Sequence, residues 1–424
     1  MRKDIKSRLF SVVWLPVIFG CGAAAADDAG SAPGNLVIVG GALSSETGSI
    51  YRAFIESRPD GRPAIAIIPA ASGRPSSSAA AFKRDLVRYG VAEGDIHVLP
   101  IAIRDDSSTE DIDESQWQHN GHNEELADAM SEFGAFWFVG GDQIRITDTL
   151  LPEADRPTAV LDAIREQHRR GAVIGGTSAG AAIMSTPMIG AGDSFASVVE
   201  EPAEHYEGIE TQERGQLYLH HGLGFFPYGI TDQHFDRRAR LGRLVRALAE
   251  TDVRAGYAVD EDTAMLVSFE SREITALGSG TVTIVDASRA MFNEAPFAAS
   301  NVEISILSDG DRFSLDDDVV THTAGDPTAD NEYYSSTAYH GAGMALGSAR
   351  LDKLLGSELA DNSRNDVIRR YSFLESGEGF MYRFSKTEDT RGFWNDGGGS
   401  EDRYTVENIR LDIVPVEIVV DPKE

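Results

Sequence analysis

Cysteine is almost absent from this chain: one residue, Cys21, in 424. That excludes an intrachain disulfide and a thiolate zinc cluster. Positive charge is also scarce, with 38 Lys and Arg against 68 Asp and Glu and a formal net charge of −30. A field of that sign repels phosphate backbones, so no nucleic acid is expected as a partner. It suits solubility outside the cell, or a ligand that carries cationic groups; solubility alone is the simpler reading. No internal repeat is visible. A hydrophobic fraction of 42% with 8% aromatics is globular, and the length fits one large domain or two ordinary ones.

The N-terminus has a basic start, Met1-Arg2-Lys3, then the apolar stretch 9–20, then Cys21 and small residues. The stretch is too short to span a membrane comfortably and reads as a secretory signal peptide over residues 1–20. Two processing routes are open. Ile18-Phe19-Gly20-Cys21 resembles a bacterial lipoprotein box, which would lipidate Cys21, although Phe19 is large for such a box. Cleavage after Ala26 is the rival, with small residues at 24–26. Either route exports the chain to the periplasm, the outer membrane or the medium. Residues 21–34 read as a flexible linker.

From residue 35 to 290, apolar runs alternate with helical patterns. Leu36–Val39, Ala64–Ile68, Ile96–Ile101, Phe136–Val139 and Ala172–Ile174 are apolar without alternation, as expected of strands buried on both faces. Helices are expected over Ser49–Glu56, Ala79–Tyr89, Glu124–Phe133 and Thr158–Arg170. The expected fold is α/β, a mostly parallel sheet with helices on both faces, with its ligand site beyond the carboxyl ends of the strands. Residues 291–424 read as a β-rich C-terminal extension with a helix near Ala349–Leu359. In it Pro415 demotes Arg410–Val420 to an edge or bulge, and Asp389–Asp402 is expected to be a loop.

The strongest local signal is Ala172–Met184, a strand, a tight turn and a helix start around Gly176-Thr177-Ser178-Ala179-Gly180. A serine at such a bend projects its hydroxyl above the sheet, and the helix N-terminus behind it favours developing negative charge. The Ala179 N–H can serve as an oxyanion donor. The plain alternative is a glycine turn with Ser178 as a helix cap.

A serine nucleophile needs a base. His119 and His122, near Glu124 and Glu125, lie in a polar loop and point only weakly to metal. His220 and His221 line a site or simply pack. His234, in Thr231-Asp232-Gln233-His234-Phe235, stands before a helix with Leu241, Leu244, Val245 and Leu248 on one face. Asp260-Glu261-Asp262 then interrupts two apolar stretches, where acids are costly unless paired. Periodicity does not choose among these three as the group orienting an imidazole. Arg237, Arg238, Arg240 and Arg243 follow His234 closely. Their plain reading is a solvated helix face; their sharper one is a carboxylate-binding pocket, which not all four can reach if the helix starts that early.

Phe138-Val139-Gly140-Gly141-Asp142-Gln143, Gly175–Ser185, Asp232–Phe235 with its trailing arginines, and Asp260–Ala264 together resemble the cyanophycinases. These are serine peptidases grouped with dipeptidase E and related in fold to class I glutamine amidotransferases. The resemblance covers roughly residues 35–290, the expected catalytic domain. It implies Ser178 as nucleophile, His234 as general base and Glu261 as the orienting acid. It implies an oxyanion hole from the backbone of Gly141, Asp142 and Ala179. It places Gln143, Asp232, Gln233, Arg238, Arg240 and Arg243 in the substrate pocket. The implied reaction is hydrolysis of cyanophycin, a polyaspartate bearing arginine on each β-carboxyl, to β-Asp-Arg dipeptides, with neither metal nor cofactor. The expected partners are the polymer or β-Asp-Arg peptides, a lipid anchor at Cys21, and a second copy of the chain as a homodimer. The acidic segment Ala191–Gln216 is expected to be an insertion or lid. Short-peptide hydrolysis of the dipeptidase E or isoaspartyl type, an α/β-hydrolase esterase, and a non-catalytic surface lipoprotein are the competing readings.

Overall fold

The structure, a computed structural model, describes residues 32–338, 341–342, 350–397, 401–419 and 421. The expected signal peptide, Cys21, the cleavage site at Ala26 and most of the linker lie outside the described residues.

Five parallel strands form the heart of a nine-stranded sheet, in the order Leu36–Val39, Val173–Thr177, Phe133–Phe138, Ala64–Ile68 and Ile96–Val98. Successive side chains point to opposite faces of a strand. Accordingly Leu36, Ile38, Ile68, Phe136 and Phe138 enter one apolar core, and Val37, Val39, Ile67, Ala135 and Trp137 enter another. Both faces are therefore buried, which is why these runs do not alternate with polar residues. Each fully buried Ile or Phe contributes about 1.5–3 kcal/mol.

The helices Gly48–Glu56, Pro75–Arg88, Glu124–Ala129 and Ala159–Arg169 fall close to their expected places. The expected helix through Phe133 stops earlier, because Phe133 already pairs with Ala64 in the sheet. Likewise the strand expected from Phe136 begins at Phe133, and the one expected to Ile101 ends at Val98.

Four antiparallel strands extend the nine-stranded sheet on one side: Thr263–Ser268, Glu273–Gly278, Arg312–Ser314 and Val319–His322. Among the described residues a second sheet, of eleven strands, runs from Ile230–Gln233 through Ala255–Val259, Val282–Asp286, Phe297–Leu307, Arg403–Glu417 and Glu378–Ser385 to Val367–Phe373 and beyond. Strands on both sides of residue 290 share both sheets, so the β-rich C-terminal region completes sheets that begin before it. The strand Arg403–Glu417 pairs with Phe297–Leu307 over Val406–Ile413 on one side and with Glu378–Ser385 over Arg410–Glu417 on the other. Pro415 sits where only Glu378–Ser385 still pairs, so its missing N–H breaks no ladder on the other side. Within the expected loop Asp389–Asp402, Arg391–Asn395 is instead a strand paired with Arg403–Glu407. The helix expected near Ala349–Leu359 is Leu351–Leu355, continued by a wider turn over Gly356–Ala360.

Candidate active site

Ser178 follows the strand Val173–Thr177 and precedes the short helix Ala179–Ala182, at φ 56° and ψ −111°. A non-glycine residue at positive φ is strained and is held only by what surrounds it. The Ser178 N–H donates to the Val39 carbonyl at 3.0 Å, tying the bend to the neighbouring strand. The turn packs so closely that a Cβ at Gly176 would lie 2.5 Å from the Gly180 carbonyl oxygen.

His234 arrives by a different route. The strand Ile230–Gln233 pairs in parallel with Ala255–Val259, with Gln233 opposite Val259. That register places the residues following each strand, His234 on one and Asp260-Glu261 on the other, side by side. The His234 N–H donates to the Gly40 carbonyl at 2.7 Å, which brings the second sheet against the carboxyl edge of the first.

The side chains meet in a line. Ser178 Oγ lies 2.7 Å from His234 Nε2, and His234 Nδ1 lies 2.7 Å from Glu261 Oε1. The three acids left open by spacing have three different employments. Asp260 is half-buried and accepts from the Asp236 N–H and from both the N–H and the hydroxyl of Thr281. Asp262 accepts from the Ser44 N–H and the Thr47 hydroxyl, bracing the loop after the first strand. Glu261 alone reaches the imidazole. With its carboxylate at Nδ1, that nitrogen carries the proton, leaving Nε2 free to accept one from Ser178.

Burial, above all, and then the guanidiniums of Arg238, Arg240 and Arg243 hold the His234 pKa well below its ordinary value. The imidazole is therefore neutral at pH 7, the form a general base requires.

Of the three N–H groups expected to hold an oxyanion, those of Ala179 and Gly141 donate no hydrogen bond among the described residues. Ala179 is the first residue of its helix, so its N–H has no intrahelical partner. Gly141 sits on the loop where a Cβ at Gly140 would lie 3.1 Å from Ser178 Cβ. Asp142 differs from expectation. Its N–H already donates to the Ala71 carbonyl at 3.0 Å, and its carboxylate caps the helix Gln143–Leu150 through the Ile144 N–H.

Ser178, His234, Glu261 and Arg238 line one cavity of about 670 Å³, together with Trp137, Gly141 and the 209–213 segment. Of the six side chains expected in the substrate pocket, only Arg238 does so; it forms an ion pair with Glu213 at 3.1 Å. Gln143, Asp232, Gln233, Arg240 and Arg243 are buried behind the cavity. Arg243 forks onto the two oxygens of Asp232, and Arg240 donates to the Gln233 carbonyl at 2.7 Å and the Gln212 carbonyl at 3.1 Å. Gln143 donates to the Gly190 carbonyl at 2.6 Å and accepts from Gln212 at 2.9 Å.

The helix of these arginines begins only at Leu241 and is covered on every side, so its polar face is not solvated. Arg240, Arg243 and Arg246 are 2%, 1% and 2% exposed. Arg243 also donates to the Gln212 carbonyl, at 3.3 Å, so Arg240 and Arg243 anchor the acidic segment 191–216 instead of a substrate. That segment is ordered: Asp193 caps the helix Ser194–Val199 and accepts from the Gly215 N–H at 2.7 Å.

His220 and His221 stack on each other at 3.9 Å outside this cavity, and His221 Nε2 meets the Leu151 carbonyl. Among the described residues, no group of three or more His, Cys, Asp or Glu is arranged to hold a metal, and no helix is long and apolar enough to cross a membrane. Sequence reasoning missed Gly41, against which the imidazole packs directly: a Cβ there would lie 2.1 Å from His234 Cε1. Its only sequence signal is the Gly40-Gly41 pair ending the first strand.

A serine on a strand–helix bend, in line with an imidazole and a carboxylate above a mostly parallel sheet, defines the class: an α/β serine-type hydrolase. Peptidase family S51 matches residues 36–275, and the chain belongs to that family. It is a serine-type peptidase. The cyanophycinase of Geminocystis herdmanii is 32% identical over 290 residues, covering 66% of this chain and 93% of that one. The cyanophycinase of a Nostoc species is 30% identical over 289 residues, covering 66% and 85%. Among solved structures, a peptidase from an acI-B1 Actinobacterium is 18% identical, with a TM-score of 0.43, covering 66% of this chain and 97% of that one.

Proposed function

We propose that this chain is an exported cyanophycinase, hydrolysing cyanophycin to β-Asp-Arg dipeptides through Ser178, His234 and Glu261. The observation that carries the mechanism is the unbroken Ser178–His234–Glu261 line, two contacts of 2.7 Å opening on a cavity. The relatives named above supply the substrate. Ser178 Oγ attacks the scissile carbonyl as His234 Nε2 takes its proton, and Glu261 steadies the imidazolium. The N–H groups of Ala179 and Gly141 receive the developing oxyanion. His234 returns the proton to the leaving amine, and water then attacks the acyl-Ser178 ester by the same relay.

The cavity wall suits a substrate carrying both charges. Arg238 answers a carboxylate, and Glu213 and Asp85 answer a guanidinium. Only one arginine is offered, since Arg240 and Arg243 are committed to Asp232 and the backbone. Export rests on the basic and apolar pattern of residues 1–20, and a lipid anchor on Cys21.

Replacing Ser178 with Ala is expected to abolish release of β-Asp-Arg from insoluble cyanophycin. Undiminished release by that variant defeats the mechanism. Faster turnover of free Asp-X dipeptides than of polymer moves the assignment to a dipeptidase E or isoaspartyl type. The mass of the mature N-terminus decides between lipidation at Cys21 and cleavage after Ala26.

A further inference from the structure

The C-terminal region holds a second cleft, of about 760 Å³, walled by Asp326, Tyr333, Tyr334, Trp394, Asp402 and Tyr404. Tyr404 is buried in its floor, but two of its aromatic rings are presented to solvent. Tyr333 is 83% and Trp394 36% exposed. Tyr333 and Tyr334 stand edge to face, with centroids 5.0 Å apart. Exposed aromatic surface gathered in one cleft, rather than scattered singly, marks an interaction site.

The walls are firmly set. Asp361 is buried and accepts from the Tyr333 N–H at 2.7 Å and the Tyr404 hydroxyl at 3.0 Å. Trp394 is paired in register with Asp326. The carboxylates of Asp326 and Asp402, by contrast, hold no hydrogen bond or ion pair among the described residues.

Open aromatic faces beside two unengaged carboxylates select a flat organic cation. A guanidinium stacks on an aromatic face and pairs with a carboxylate through two N–H groups at once. An anion is repelled here, and a neutral sugar would leave the charges unanswered. The cleft is also joined to the active site by shared walls. Asp402 lines a neighbouring cavity of about 490 Å³ that also includes Asp260 and Glu261. Glu261 in turn lines the Ser178 cavity.

We propose that the cleft formed by Tyr333, Trp394, Asp326 and Asp402 binds guanidinium side chains of the substrate polymer, as a remote subsite that keeps the chain on the enzyme between cleavages. It rests on the reading of an arginine-bearing polymer as substrate.

The test uses the full chain carrying Ser178→Ala, titrated calorimetrically with hexa-L-arginine and with cellohexaose at 0.15 M salt. Hexa-arginine is expected to bind, and the Tyr333→Ala/Trp394→Ala pair to weaken it about tenfold, the loss of two exposed cation–π contacts. Phe at both positions should restore it. These changes leave the net charge untouched, so diffuse attraction to an acidic protein is not affected. Both side chains are exposed, and an unchanged circular dichroism spectrum confirms the fold. Equal hexa-arginine affinity in the Ala pair, or tight aromatic-dependent binding of cellohexaose instead, overturns the proposal.

Retention of the same variants on cyanophycin granules separates this inference from the one beneath it. If the native chain cleaves no cyanophycin but hexa-arginine still needs the two rings, the substrate reading fails and the guanidinium site stands. If cyanophycin is cleaved while granule retention ignores the rings, the subsite alone fails.

Discussion

Replacing Gly41 with Ala drives a methyl group into the His234 imidazole. The added Cβ would lie 2.1 Å from Cε1, 2.4 Å from Nε2 and 2.7 Å from Nδ1, where ordinary contact begins at 3.4 Å. The ring or the loop must yield by about 1 Å, and a displacement of that size in a reacting group costs about a hundredfold in rate. The 2.7 Å approach of Ser178 Oγ to Nε2 is the contact that opens. The backbone adds its own cost, because Gly41 has φ +118° and an L-residue there is strained by about 1–3 kcal/mol. Gly61 separates the two effects. It has φ +75° with nothing within 4 Å of the site of a Cβ, so Gly61→Ala carries strain without the clash. Gly61→Ala should lose about 1–3 kcal/mol in urea unfolding, and Gly41→Ala at least as much, since the clash adds to the strain. Only Gly41→Ala should lose about a hundredfold in kcat and in the rate of Ser178 labelling by a fluorophosphonate, a readout independent of the natural substrate. Labelling of Gly41→Ala within threefold of the native rate would refute the claim that the imidazole is held where it is by this backbone contact.

Further expectations follow the charges. Because the His234 pKa is lowered, the neutral base persists as pH falls through the unperturbed value of about 6.5. The acid limb of kcat/KM should therefore lie below 6.5, and Arg238→Met, which removes one of the repelling cations, should move it upward; a native limb at or above 6.5 contradicts the reading. Asp232→Ala leaves the buried guanidinium of Arg243 uncompensated and should cost about 3–5 kcal/mol in chemical denaturation, whereas Asp232→Leu with Arg243→Met should cost far less. Burial, then the neighbouring Asp260 carboxylate, raises the Asp236 pKa to about 7. A raised carboxyl stabilises the fold below its unfolded pKa and loses that contribution as pH climbs through the folded one. Asp236→Asn, which can still accept the Leu351 N–H, should thus gain on the native chain progressively between about pH 4 and 7 and by a constant amount above; a difference flat across that window counts against it.

Much of this molecule is legible in one dimension. Runs such as Leu36–Val39 and Ala64–Ile68 need no partner to announce themselves, since a strand covered on both faces must be apolar at every position. The bend at Ser178 is legible for a similar reason: small residues packed around a serine between a strand and a helix leave few other conformations. The resemblance carried by four short blocks goes further and singles out Glu261 from its two neighbours; in the structure Glu261 Oε1 lies 2.7 Å from His234 Nδ1.

What the chain could not declare is where long side chains end. Arg238, Arg240 and Arg243 are equivalent as letters, yet one faces the cavity and two are buried against Asp232 and Gln212, because the turn before Leu241 and the helix that starts there are enclosed by the second sheet and the 191–216 segment. The same holds for Gly41, whose importance lies in an imidazole 193 residues away in sequence and in contact in space. Local sequence sets which residues can bend, pair or stay dry. Which charge meets which, and which is left to meet a substrate, is decided when two sheets from distant parts of the chain close on each other, for only then does burial make each unpaired charge costly.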